Sequence, residues 1–387
     1  MTDLLVIGAG PYGLAAARAA RRLGLSVTVL GRPMSFWHEH MPAGMFLRSG
    51  PDWHLDVAEE LTFEAFAGDT TPDPIPIARF LEYAAWFTSE AGIEIRDEEV
   101  VRLEPAAEGD AAPGGAGPRA SGGAHPARVC GGSRGFVATL ASGATVFARA
   151  VVAAPGISRF AVVPEWGAGL GEHTVDLVDF ASLAGARVLI VGGRQSAYEW
   201  AALIGEAGAE RVDVVHRHAE PRFGRVSWAF VEPHMERTVA VPGWWRRLPA
   251  TGREAIGQRF WEVGRLTLEH WLAPRLARLP VHRHAGAEVV AAPPNGEVEL
   301  SDGSRLHADR IVFACGYRAD IARVPYLPPV ATTGGFPDLD ESFSTSLPGL
   351  YIPGFPAVRD FGPFFGFVRG AVPAAALIAR DLESRLG

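Results

Sequence analysis

The feature that most constrains this chain is its opening. Residues 4–7 are the apolar run Leu-Leu-Val-Ile, residues 8–13 read Gly-Ala-Gly-Pro-Tyr-Gly, and residues 14–23 form an Ala/Arg-rich segment closed by Gly24. That is strand, glycine turn and helix, with a second strand predicted over 26–30. Each glycine answers a physical need. Gly8 permits the tight turn, Gly10 admits a pyrophosphate to the backbone, and Gly13 lets the helix approach the strand. Amides at the helix start then face the phosphates, which brings Pro11 and Tyr12 into the expected contact set. The acid that usually ends the second strand and binds a ribose is missing, since residues 30–32 are Leu-Gly-Arg. Arg32 or bare backbone has to take its place.

The opening recurs 184 residues later, from Gly8 to Gly192. Residues 188–191 supply the strand, Gly192, Gly193, Arg194, Gln195 and Ser196 the turn, and Ala197 stands where Gly13 stood. After the following strand, 212–215, come His216, Arg217 and His218. An arginine there, with no acid, suits a 2′-phosphate and favours NADP over NAD; the alternative is a solvated basic turn. Residues 136–156 and 297–316 repeat at a spacing of 160 (Leu140 with Leu300, Gly143 with Gly303, Gly156 with Gly316). Each copy reads as a hairpin leading into a buried strand that ends at a small-residue turn. Ligands of open α/β sheets lie beyond strand carboxyl ends, so Ala154, Gly156 and Gly316 are expected beside dinucleotides.

The predicted class is therefore α/β, with two Rossmann-like dinucleotide-binding domains, the second nested in the first. The first comprises 1–159 and 325–387, with a Gly/Ala/Pro-rich flexible loop over 105–135. The second comprises 160–324 and carries a Trp/Arg-rich helical insertion over 221–280.

Composition removes several chemistries. The 387 residues contain no lysine, which excludes Schiff-base chemistry and a lysine-tipped phosphate loop. A net charge of -8 disfavours nucleic acid. The two cysteines, Cys130 and Cys315, are too far apart in sequence for a CxxC couple or a cysteine-rich zinc site. His38 and His40 fall far short of a metal site, and none is expected. No run approaches the ~18 apolar residues of a membrane span, so a soluble, cytoplasmic protein is expected.

Together these segments resemble the two-dinucleotide-binding flavoproteins, and among them the group B flavoprotein monooxygenases: flavin-containing monooxygenases, Baeyer–Villiger enzymes and N-hydroxylases. The resemblance is carried by residues 8–13, by Ser35-Phe36-Trp37, by residues 192–197, by Ala314-Cys315-Gly316-Tyr317, and by the closing stretch 349–354. Residues 31–49 are also similar to small bacterial members of the FAD-dependent urate hydroxylase type. The resemblance implies FAD and NADPH as cofactors. It also implies a reduced flavin that captures O2 as a C4a-(hydro)peroxide and passes one oxygen atom to a small molecule. The hard chemistry belongs to the cofactor, so no catalytic side chain is assigned.

Val101, Gly354, Phe361 and Phe364 complete the implied cofactor contacts. Trp37 is read either as a shield for the cofactor or as core. Arg48 and Ser49 are read as partners of the flavin ring or substrate, or as ordinary surface. Phe260, Val263, Thr267 and Trp271 recur at helical spacing, giving a helix that is a substrate lid, a packed insertion or a homodimer surface. The phenylalanines of 361–367 are expected to line the isoalloxazine face or the substrate cavity, with core packing as the competing view. Three departures from the family pattern stand out: Gly31 lacks the acid, Arg194 replaces a glycine, and only Gly171-Glu172-His173-Thr174 represents the fingerprint between the units. They keep open a non-oxygenating reductase or oxidase of the same fold and an inactive dinucleotide-binding sensor.

Overall fold

Strand β1 (Thr2–Ile7) has Leu4, Leu5 and Val6 fully buried, as a central parallel strand covered on both faces requires. In this computed structural model, residues 1–50, 52–68, 71–106, 135–293 and 295–387 are described. The loop expected over 105–135 lies almost entirely outside them, and Cys130 entirely so.

The first sheet adds β2 (Val27–Leu30), β3 (Ile95–Arg96), β4 (Val100–Pro105), β5 (Phe136–Leu140) and β6 (Thr145–Ala153). Their order is β3-β2-β1-β6-β5-β4. β1 runs parallel to both neighbours, with Ile7 opposite Leu30 and Ala153. β6 is long enough to serve two further partners on its other edge. Its first half pairs antiparallel with β5, and its second half pairs parallel with Leu350–Tyr351, where the chain returns. The helix Pro11–Arg22 buries a face of alanines, Ala15, Ala16, Ala17, Ala19 and Ala20, which lets the C-terminal helix Ala371–Leu386 pack on it closely.

Between these halves the chain builds a second sheet. It introduces β7 (Glu172–His173), β8 (Arg187–Val191), β9 (Arg211–His216), β10 (Arg222–Gly224), β11 (Thr267–Glu269), β12 (Val281–Ala285), β13 (Val289–Ala291), β14 (Glu297–Leu300), β15 (Arg305–His307) and β16 (Arg310–Phe313). Five of these form a parallel sheet in the order β12-β9-β8-β16-β7, while β13, β14 and β15 form an antiparallel sheet and β10 pairs with β11. The internal repeat is visible in the backbone. Gly143 and Gly303 turn at φ +83° and +82°, and Gly156 and Gly316 at +70° and +79°. The copies differ at one point: β6 is continuous, whereas β15 and β16 are separate, and Asp309 between them accepts hydrogen bonds from the Arg187 amide and guanidinium.

Each sheet has one place where adjacent parallel strands lead off in opposite directions. In the first it lies between β1 and β6, in the second between β8 and β16. There Gly8 (φ +106°) sits so close to β6 that a Cβ would lie 2.3 Å from the Ala154 carbonyl oxygen. Gly192 (φ +140°) repeats the arrangement, 2.4 Å from the Ala314 carbonyl oxygen. Such switch points are where open α/β sheets bind ligands.

The helical reading of 260–271 needs correction. The helix Ala250–Gly264 carries Phe260 and Val263, but Thr267 opens β11 and Trp271 caps the short helix Leu272–Leu276. Gly264 ends the helix where the Trp228 ring presses in, at 2.5 Å from any added Cβ.

Gly13 holds the first helix against the first strand, since a Cβ there would lie 1.9 Å from the Gly8 carbonyl oxygen. Gly13→Ala is expected to destabilise the protein by about 1–3 kcal/mol, the usual cost of overpacking, read as a lower urea midpoint with an unchanged slope.

Candidate functional site

A cavity of about 690 Å³ follows the carboxyl edge of the first sheet. At one end lie Gly31, Arg32 and residues 97–100, beyond β2 and β3. The bend at Gly8, Gly10, Pro11 and Tyr12 and the turn at Ala154 and Gly156 form the middle. At the other end, past Leu350–Tyr351, lie Gly354, Phe355 and residues 366–368. Trp37 lines the cavity with its ring edge-on to Phe80 at 4.6 Å, so shield and core packing are combined in one side chain. His40 also lines it, with Nδ1 2.6 Å from the Val175 carbonyl.

Gly10 is informative because nothing in the protein requires it to be glycine. Its φ is −89°, and a Cβ would meet no protein atom within 4 Å. The bare backbone faces the cavity at the start of the Pro11–Arg22 helix, where a diphosphate would be received by backbone amides. The Tyr12 hydroxyl shares its proton between the Phe365 and Phe367 carbonyls (2.5 and 2.8 Å), tying this bend to the far end of the cavity.

At the near end, Gly31 has φ +119°, a conformation that an acidic side chain would adopt only with strain. Arg32 is exposed and pairs with Glu39 at 2.8 Å. The carboxylates on this rim come from the next strand instead: Asp97, Glu98 and Glu99 all line the cavity, and Glu98 is engaged by Arg96. Sequence reasoning passed over these three. Their signal was an acidic run directly after a short strand whose carboxyl end faces the ligand side.

The second switch point is built differently. Gly193 packs on His216, whose ring lies 2.3 Å from where a Cβ would be. Arg194 caps the Gln195–Glu206 helix in extended conformation, and its guanidinium lies 3.8 Å from the Trp261 ring centroid. Burial and the neighbouring Arg217 lower it to about 10. Arg217 and Ser196 are exposed, while Gln195 is buried and accepts from the Glu269 amide at 3.0 Å. Gly316 is held by His173, whose Nε2 lies 3.1 Å from its carbonyl and whose Nδ1 accepts from the Val175 amide. Cys315 bonds the Val191 carbonyl at 3.4 Å, and burial raises its thiol to about 11, far from a reactive thiolate.

Four expected contacts lie elsewhere. Val101 is 48% exposed, and its neighbour Val100 lines the cavity, because alternation along β4 turns only one of the two inward. Phe361 is stacked on Phe343 at 3.6 Å, and Phe364 packs against Trp245, so both belong to the core; of this run only Gly366 and Phe367 line the cavity. Arg48 is a brace. It pairs with Glu269 at 3.2 Å and donates to the Gly264 and Thr267 carbonyls, both at 2.9 Å.

Beside that brace, Glu199 is fully buried, and burial raises its carboxyl to about 8 from an ordinary 4.5, against the pull of Arg48. As pH rises between these values, the unfolded chain gives up the proton and the folded one keeps it. Stability is thus lost at up to about 1.4 kcal/mol per pH unit. Glu199→Gln is expected to flatten the fall in urea midpoint between pH 5 and pH 8; an unchanged slope would show that Glu199 ionises freely in the native state.

A profile of the pyridine nucleotide-disulphide oxidoreductase family matches residues 2–241. A FAD-dependent urate hydroxylase from Xanthomonas campestris is 29% identical over 262 residues, which are 62% of this chain and 49% of that protein, so the chain spans about half the relative's length. Among solved structures, the ornithine N-hydroxylase of Kutzneria superposes with a TM-score of 0.77 at 16% identity, covering 100% of both chains. A flavin-containing monooxygenase from Stenotrophomonas maltophilia gives 0.65 at 19% identity, covering 100% and 99%. The bacillithiol disulfide reductase of Staphylococcus aureus gives 0.65 at 17%, again covering 100% and 99%. At these identities the likeness is one of fold.

Proposed function

Because the chain belongs to the pyridine nucleotide-disulphide oxidoreductase family, we propose that it is an FAD-dependent, NADPH-using monooxygenase that inserts one oxygen atom of O2 into a small molecule. The observation that carries this reading is the duplicated glycine bend at two switch points, one of them opening on a cavity long enough to follow five strand ends. Residues 1–159 and 325–387 hold FAD, and 160–324 hold NADPH. The urate hydroxylase and N-hydroxylase relatives support oxygenation. Two cysteines, at 130 and 315, leave no CxxC couple for disulfide reduction. Among the described residues, no helix is long and apolar enough to cross a membrane.

In this reading Gly10, Pro11 and Tyr12 receive the FAD pyrophosphate. The acids at 97–99 accept from the adenosine ribose in place of the missing strand-end acid. Trp37, His40, Gly354 and Phe367 surround the ring system. Bound FAD would take two electrons from NADPH and deliver them to O2; the chain's part is to orient the two cofactors and keep water away. On the NADPH side, Arg194 stands where the pyrophosphate passes and Arg217 where the 2′-phosphate lies.

Purified protein is expected to be yellow, and excess NADPH to bleach its visible band in anaerobic stopped flow; oxygenated product should follow on adding O2 and substrate. NADPH oxidised with no oxygenated product from any candidate would favour the reductase, and protein that takes up no FAD the sensor. At Gly10 an added Cβ meets no protein atom, so Gly10→Leu is expected to leave the melting temperature of the FAD-free protein unchanged while abolishing FAD uptake and the stabilisation that FAD brings. Arg217→Gln is expected to raise the KM for NADPH about tenfold, as befits one charge-assisted hydrogen bond, and to leave that for NADH unchanged.

A further inference from the structure

Two neighbouring guanidinium groups, those of Arg194 and Arg265, have no counter-ion among the described residues. Among the described residues, Arg194 and Arg265 make no side-chain hydrogen bond and no ion pair, and each lies against aromatic rings. Arg194 is 3.8 Å from the Trp261 centroid, and Arg265 is 4.9 and 5.7 Å from those of Phe367 and Phe260. Arg265 is repelled by both Arg194 and Arg48, and of the three only Arg48 has a carboxylate, Glu269. Burial and these like charges hold Arg265 down to about 9. Aromatic faces make such a cation tolerable, but they do not replace an acceptor, and a half-buried charge without one is costly.

Its place gives that cost a use. Arg265 follows the Ala250–Gly264 helix and packs on Phe367, which lines the cavity at the end beyond Leu350–Tyr351. In the flavoprotein reading this is the end of the flavin ring, away from the adenosine. We propose that Arg265 is the charge receptor of the substrate site, and that the substrate is a planar organic anion, a carboxylate or an acidic heterocycle, whose charge meets the guanidinium while its ring lies along the neighbouring aromatic side chains. The guanidinium fork suits a flat, delocalised anion with two acceptors, and its weak hydration lowers the cost of drying the contact. Arg194, one guanidinium further toward the second glycine bend, remains with the nucleotide.

The proposal rests on the flavoprotein reading only for calling the bound anion a substrate. Benzoate and its neutral isostere benzamide serve as probes of the isolated wild-type protein, Arg265→Gln and Arg265→Lys, read by tryptophan fluorescence and thermal shift, neither of which requires flavin. Wild type is expected to bind benzoate at least tenfold more tightly than benzamide. Arg265→Gln should lose that preference, and Arg265→Lys should keep part of it. The NADP+ dissociation constant, measured on the same variants, should change less than twofold. Equal binding of the two probes by the wild type would overturn the proposal. So would a tenfold loss of NADP+ affinity in Arg265→Gln with benzoate binding intact, which would make Arg265 a nucleotide ligand. A colourless protein that still discriminates benzoate through Arg265 would defeat the flavin reading and leave the anion receptor standing.

Discussion

The structure depends on two close approaches between a glycine and a carbonyl. At Gly8 and Ala154, and again at Gly192 and Ala314, neighbouring parallel strands end side by side, with less room between them than any side chain needs. Because the backbones touch there, the chains leaving them must part, one into a helix and the other into a turn. The crevice that opens is lined by backbone amides and small residues. The two bends are not equivalent, however. The first faces open space at Gly10, whereas the second carries Arg194 and is backed by the His216 ring. Identical backbone logic thus yields one bend that leaves open space and another that carries a guanidinium.

How far the sequence discloses this follows from the range of the forces involved. Glycine spacing, strand length and the repeats at 184 and 160 residues report local backbone needs, and they point to both sheets and to the return of the chain at its end. Contacts decided by tertiary packing are a different matter. Arg48 sits where the chain of the resembled flavoproteins returns to the flavin, yet each of its three side-chain nitrogens donates to residues 264–269, which no local rule places beside it. Phe361 and Phe364 sit in a Gly-rich run that looks like a ligand wall, but Phe343 and Trp245 arrive from distant segments to bury them. The helical spacing through Thr267 and Trp271 fails for a similar reason, because β10 recruits residues 267–269 into a strand pair.

The acids at 97–99 are a more instructive omission. Searching the end of β2 for a carboxylate assumes that one position must supply it, whereas the physical requirement is an acceptor on that rim, from whichever strand ends there. Gly31 has a positive φ that excludes the usual residue, and β3 is so short that its exit turn reaches the same space. Carboxylates can thus reach this rim from one strand over while the fold stays the same.

A chain without lysine has only guanidinium for every cationic role, and this shapes its interior. Arginine is weakly hydrated and planar, so it can be laid on an aromatic face and kept half-buried where an ammonium would demand water or a carboxylate. The eight such contacts among the described residues all use arginine, and three of the cations, Arg48, Arg194 and Arg265, lie close enough together for Arg265 to be repelled by the other two. Of these, one is neutralised by Glu269 and braces the halves together; the other two are left without acceptors. In a protein with more acids than bases, half-buried arginines without a carboxylate partner are not explained by a shortage of carboxylate. They stand where carboxylate is absent, and the proposed anion receptor gives that absence a use.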